Sequence, residues 1–175
     1  MLTKKIEDAI NFQINAEFWS GYLYLAMACD LDDKGFKGIA NWYKVQFEEE
    51  FAHARIFINH VLARGGRVTL APIKEVPTTF DSPLDCFNKT LLHERKVSGL
   101  VNNLYALAEE EHDYATRQML NWFVAEQVEE EDMAQELIDD LKLIGNDGTG
   151  LYQFDRELAK RVYKAPALLT GESAE

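Results

Sequence analysis

Glu50 and His53 stand three residues apart in FEEEFAHARIF, residues Phe47–Phe57. On a helix that spacing puts a carboxylate and an imidazole on one face. Together they can ligate a cation such as iron, manganese or zinc. Taken alone, the pair is also a common structural or surface pattern. Three further glutamates give it weight: Glu17 in NAEFWSGYLYLAMA, Glu94 in LLHERKVSG and Glu130 in WFVAEQVEEE, the last with Gln127 one turn before it.

Each of these residues interrupts an apolar seam that advances in steps of three and four, the spacing of a bundle helix. The first seam reads Ile6, Ile10, Gln13, Glu17, Ser20, Tyr24, Met27, Leu31. The second reads Ile39, Tyr43, Gln46, Glu50, His53, Phe57, His60. The third reads Phe87, Leu91, Glu94, Ser98, Val101, Tyr105, Ala108. The fourth reads Leu120, Phe123, Gln127, Glu130, Ala134, Leu137, Leu141. In an antiparallel bundle, positions away from the helix ends can share one level. The spacing therefore predicts one layer holding Glu17, Glu50, Glu94 and Glu130, with His53 and Gln127 one turn from their neighbours. Four carboxylates in a dry interior repel, and each costs several kcal/mol to desolvate. No lysine or arginine falls on the seams at that level. Two divalent cations would supply four positive charges, matching four glutamates beside a neutral His53.

The elements that must position this layer are long helices cut by sparse glycine and proline. The first runs from about Thr3 to Asp33 and is closed by Lys34-Gly35. The second runs from about Phe36 to Arg64 and ends at Gly65-Gly66. The stretch RVTLAPIKEVPTTFDS, with Pro72 and Pro77, has no helical period. Asp81 or Ser82 can cap a third helix that has Pro83 at its first position and reaches about Glu111. Asp113 can cap a fourth, running to about Ile144. GNDGTG then breaks the pattern before a short fifth segment, Leu151 to Tyr163. The expected fold is all-α: a four-helix bundle with a long crossover connection between helices 2 and 3, plus a short fifth helix. Residues 1–163 form the expected domain and 164–175 a loose tail.

Composition narrows the function. Hydrophobic residues make up 47% of the 175, enough for a packed core rather than a disordered tail. The net charge of −12 disfavours nucleic acid and anionic membranes as partners. No apolar run reaches the roughly 18 residues of a membrane helix. MLTKKIEDAI lacks the apolar stretch of a signal peptide, so the expected location is the cytoplasm. Cys29 and Cys86 have no CxxC spacing and read as free buried thiols.

The pattern resembles the ferritin-like di-iron carboxylate proteins: one Glu from each of two helices and Glu-x-x-His from each of the other two. Glu17 and Glu94 fill the first role and Glu50-Phe51-Ala52-His53 one of the second. The remaining helix departs, with Gln127-Val128-Glu129-Glu130 in place of Glu-x-x-His. That asymmetry is similar to bacterial non-haem ferritins and animal heavy-chain ferritins. NAEFWSGYLYLAMA, FEEEFAHA and WFVAEQVEEE together resemble the bacterial non-haem type, over about residues 1–163. Phe51 stands where bacterioferritin has a haem-ligating Met, so haem is not expected.

The resemblance implies Glu17, Glu50 and His53 as a first iron site. It implies that Glu50 bridges to a second site completed by Glu94 and Glu130, with Gln127 beside it. It implies a third, accessory site at Glu49, Glu126 and Glu129, for which a solvated acidic face is the alternative. Tyr24 matches the family's tyrosine near the di-iron centre, and Trp122 a nearby aromatic. For Tyr24, a core residue with a hydrogen-bonded hydroxyl and a redox or tuning role both stay open. His60, His93 and His112 read as structural or exposed. The implied activity is a ferroxidase step with dioxygen or hydrogen peroxide. The implied outcome is storage of a ferric oxyhydroxide mineral inside a homo-oligomeric shell of 24 chains. Three rivals are weaker. A di-iron oxidase that keeps its metals is disfavoured by Gln127 and Glu130. A DNA-protecting mini-ferritin is disfavoured by a site built within one chain and by the fifth helix. A purely structural helical assembly would bind no metal.

Overall fold

Where each helix starts follows from a side chain that satisfies its first free backbone amides. In the computed structural model, which describes residues 2–170, α1 (Lys4–Asp33) begins after Thr3, whose hydroxyl accepts from the Ile6 amide. α3 (Pro83–Glu110) is capped by Ser82, not Asp81. The Ser82 hydroxyl accepts from the Asp85 amide at 3.1 Å, and Pro83 takes the first position. α4 (Tyr114–Ile144) begins after Asp113, whose carboxylate accepts from the Thr116 amide at 3.2 Å and from Arg64 Nη1 at 2.8 Å. That second contact ties the end of α2 (Lys37–Ala63) to the start of α4.

The pairs α1/α2 and α3/α4 are antiparallel hairpins, and no strand occurs among the described residues. Gly35 closes the first hairpin at φ +90°, a left-handed turn that other residues adopt only at a cost. The long connection then climbs α1. Its amide at Arg67 donates to Glu7, its Thr69 amide to Asn11, and its Phe80 amide to Asp30. Asn15 donates to the Ala71 carbonyl between these points. One crossover thus travels nearly the length of the bundle, which is why the second hairpin can pack on the first.

The interior is two apolar halves with a polar layer between them. One half gathers Tyr24, Met27, Ile39, Tyr43, Phe87 and Leu137. The other gathers Ile10, Ile14, Phe57, Val101, Leu120 and Phe123. On every long helix the residues separating the halves are polar: Gln13, Glu17 and Ser20 on α1; Gln46, Glu50 and His53 on α2; Glu94 on α3; Gln127 and Glu130 on α4. All of these are buried. The third seam departs from the expected pattern, as does the half-buried His60 at the end of the second. Ser98 and Tyr105 are only half-buried, and Val97 and Leu104 turn inward instead. From Glu94 the inward steps run three then four, through Val97, Val101, Leu104 and Ala108, instead of four then three.

Three other expectations are revised. α5 runs Gly148–Leu158, beginning earlier and ending sooner than Leu151 to Tyr163. Asp147 explains the start: its carboxylate accepts from the Thr149 and Gly150 amides, so the glycines enter the helix rather than break it. Cys29 is exposed, although Cys86 is buried as expected. It lies two residues past the seam residue Met27, about 200° around the helix. Beyond α5, Ala167–Thr170 form one further turn, α6, whose Leu169 packs on the second apolar half. The rest of the expected tail, 171–175, lies outside the described residues.

Candidate metal centre

α1 and α2 supply the tightest cluster. One oxygen each from Glu17 and Glu50 and one ring nitrogen of His53 all lie within 4.8 Å of one another, and all three residues are buried. Glu17 Oε1 accepts from Gln13 Nε2 at 2.8 Å, while Glu17 Oε2, Glu50 Oε2 and His53 Nε2 have no hydrogen-bond partner. The nearest approach of Glu50 to His53 is 3.5 Å, long for a hydrogen bond. Buried polar atoms without partners are rare because each carries its full desolvation cost. Three of the four such atoms among the described residues belong to Glu17, Glu50 and His53 and the fourth is Gln46 Oε1; two carboxylates and an imidazole are the donor types of a transition-metal site.

α3 and α4 supply the other half. Glu94 accepts from the Tyr24 hydroxyl of α1 and, at 3.1 Å, from Gln127 Nε2 of α4. Glu130 accepts from Gln46 Nε2 of α2 at 2.6 Å. The bonds from Tyr24 and Gln46 cross between the hairpins, while the Gln127 bond joins α4 to α3 within one, and together they hold Glu94 and Glu130 in the layer. Trp122 stacks edge-on to His53 at 5.4 Å between ring centres, and Phe123 does so at 5.7 Å.

The electrostatics follow from burial. Desolvation pushes Glu17 up to about 7, with Gln13 opposing. It pushes Glu50 well above the carboxylate range, helped by the charges of Glu94, Glu17 and Glu130. Glu94 and Glu130 are raised too, mainly by desolvation. Burial alone lowers His53 to about 4, so its imidazole is neutral at pH 7 and free to donate a lone pair. Tyr24 is raised by burial and then by Glu94, so it is a neutral phenol that donates to the carboxylate. No lysine or arginine is buried among the described residues. The layer is therefore neutralised either by protons held on its raised carboxylates or by cations from outside the chain.

The flanking glutamates are wetter. Glu126 Oε1 is 4.0 Å from His53 Nε2, and Glu126 is raised to about 7 by desolvation and then by Glu129 and Glu49. Glu129 is exposed. Glu49 is engaged by Arg161 at 2.6 Å. These three do not join the compact cluster of Glu17, Glu50 and His53. Among the histidines outside the layer, His60 bonds Thr116 at 2.9 Å, His93 bonds Ser20 at 2.7 Å, and His112 is exposed.

Sequence reasoning placed Gln13 and Gln46 on their seams without a role. For Gln13 the signal was present, four residues before Glu17 on the same helix; for Gln46 it was not, because its partner Glu130 is 84 residues away. Arg161 had no such signal, because its partner is 112 residues away.

Residues 7–144 match the family described as Ferritin-like domain, and the chain belongs to that family, whose role is iron storage. Its relatives include the bacterial non-haem ferritin of Bacteroides fragilis strain 638R, 42% identical over 92% of this chain and all of the relative. The bacterial non-haem ferritin of Staphylococcus saprophyticus is 40% identical over 93% of this chain and 98% of the relative. Among solved structures, an open-pore ferritin from the archaeon Archaeoglobus fulgidus superposes with a TM-score of 0.91 at 44% identity, covering 93% of this chain and all of the other. A form of the A. fulgidus ferritin engineered to be closed gives 0.92 at 43%, covering 94% of this chain and all of the other. The long crossover and the all-helical bundle are those of the family.

Proposed function

We propose that this chain is a ferroxidase that stores the iron it oxidises. The observation that carries the reading is the buried layer itself: four glutamates and a neutral histidine, partly without hydrogen-bond partners, with no buried cationic side chain beside them. Iron is the substrate. One Fe(II) is taken by Glu17, Glu50 and His53. A second is taken by Glu50, Glu94 and Glu130, with Gln127 holding Glu94 in place. Two Fe(II) give up two electrons. With two protons these reduce dioxygen to hydrogen peroxide, or hydrogen peroxide to water. The second position has only carboxylates. Hard oxygen donors without imidazole favour the ferric product but hold it less selectively, which suits release over retention.

Glu49, Glu126 and Glu129 border the layer, Glu126 on the side of His53, and take a further cation on its way out. Tyr24 steadies Glu94 as a neutral hydrogen-bond donor. The working unit is the bundle with α5, residues 1–163, in the cytoplasm. Copies of it close a hollow shell of 24 chains in which oxidised iron accumulates as ferric oxyhydroxide. The net charge of −12 favours inward attraction of Fe(II).

Electron microscopy after aerobic addition of several hundred Fe(II) per assembly tests this. The expected images are hollow spheres with dense cores. Monomers or twelve-chain particles would refute the shell. Two irons retained per chain, with no core, would instead mark an oxidase that keeps its metals.

A further inference from the structure

Arg161 lies three residues past the end of α5, yet its side chain reaches the edge of the carboxylate layer. Nη2 donates to Glu49 Oε2 at 2.6 Å, and Nη1 donates to the Trp42 carbonyl at 3.3 Å. The guanidinium carbon sits 4.6 Å from the centre of the Trp42 ring. Asn41 Nδ2 donates to the Arg161 carbonyl at 3.0 Å and so fixes the backbone from which the side chain springs. Arg161 and Glu49 are each only 19% exposed, so their charges are weakly screened. A fork-shaped cation stacked on an aromatic face is a specific fixture, unlike a surface lysine.

We propose that Arg161 is a charge latch on the edge formed by Glu49, Glu126 and Glu129. Its guanidinium holds Glu49 when no metal is there, and it is displaced when that edge takes a divalent cation. The inference rests on the reading of those three glutamates as a cation site. Two positive groups drawn to one carboxylate repel each other, so occupancy by one weakens the other by the same factor. The displaced side chain has somewhere to go. A cleft of about 380 Å³ adjoins Arg161, and the acidic residues Glu136 and Asp140 are among those that line it. The latch keeps the edge from filling before the inner pair. It makes the segment after α5 a regulator of cation traffic, as well as an anchor.

The test uses Zn(II), which has no redox chemistry, in calorimetric titration of the metal-free assembly. The unmodified protein is expected to take two tight equivalents per chain and a third, weaker one. Arg161→Gln tightens the third by about tenfold, the scale of a charge-assisted pair, and leaves the first two unmoved. Arg161→Lys keeps the charge but loses the fork and the stack, so it tightens the third by about threefold. If Arg161→Gln does not assemble, the lysine variant decides alone, and an unchanged third equivalent overturns the latch. A third equivalent that vanishes in Glu49→Gln but keeps its affinity in both Arg161 variants overturns the latch and leaves the edge site standing. A stoichiometry unchanged by Glu49→Gln removes the edge site and the latch together.

Discussion

At the scale of single residues, the layer is a set of carboxylates held in an environment that disfavours their charge. Glu17 makes this measurable. Its folded value of about 7 lies above the ordinary 4.5, so the folded chain holds its proton more firmly than the unfolded chain does. Below about pH 4.5 both states are protonated and the group contributes nothing. As pH rises from 4.5 through 7 the unfolded state ionises first, and the metal-free protein loses stability. Glu17→Gln removes that loss. In denaturant titrations of metal-free protein the variant should match the unmodified chain at pH 4.5 and exceed it at pH 8 by on the order of 1–3 kcal/mol. Saturating Zn(II) should reverse the order at pH 8, because the cation then supplies what the glutamate lacks. His53 has the opposite sign: its value of about 4 means stability falls as pH drops from 6.5 toward 4.

At the scale of elements, α5 is where local and tertiary effects can be separated. α2 begins after Phe36, which provides no side-chain cap. The missing acceptor comes from α5: Asp155 Oδ1 receives the Gly38 and Ile39 amides, both at 2.9 Å. Gly38 must be glycine for this, since a Cβ there would lie 1.6 Å from the Asp155 carbonyl oxygen. Helix propensity alone says Gly38→Ala gains about 1 kcal/mol. The close approach says that α5 is forced away, that the cap is lost and that about 1–2 kcal/mol goes with it. Hydrogen exchange should show the first turn of α2 deprotected in the variant, and a protected turn with a raised melting temperature would contradict the docking. The same contrast explains what the sequence could reveal. The four seams and the glutamates that interrupt them were legible because both recur at helical spacing within one helix. The Asp155 cap, the Arg161 pair and the early start of α5 were not, because each depends on residues brought together by folding or on a turn side chain that rescues apparent breakers. Ser98 and Tyr105 were misplaced because the order of three- and four-residue steps can swap without changing a helix's composition, and Cys29 because the usual burial of a thiol was applied to a position off the seam.

At the scale of the whole molecule, two apolar halves of a bundle are joined through a layer that is costly unless cations fill it. A chain selected only for stability would replace such a layer with leucine, which packs without desolvating charge. The hydrogen bonds from Tyr24, Gln46 and Gln127 instead hold Glu94 and Glu130 in position, and Glu17, Glu50 and His53 keep atoms free. The most direct measurement is stopped-flow absorbance when metal-free assembly loaded anaerobically with two Fe(II) per chain meets dioxygen. The unmodified protein should show a fast oxidation phase. Glu50→Ala and His53→Ala should each slow it by at least about a hundredfold while sedimenting as the intact assembly. A fast phase at the unmodified rate in both assembled variants would contradict the account.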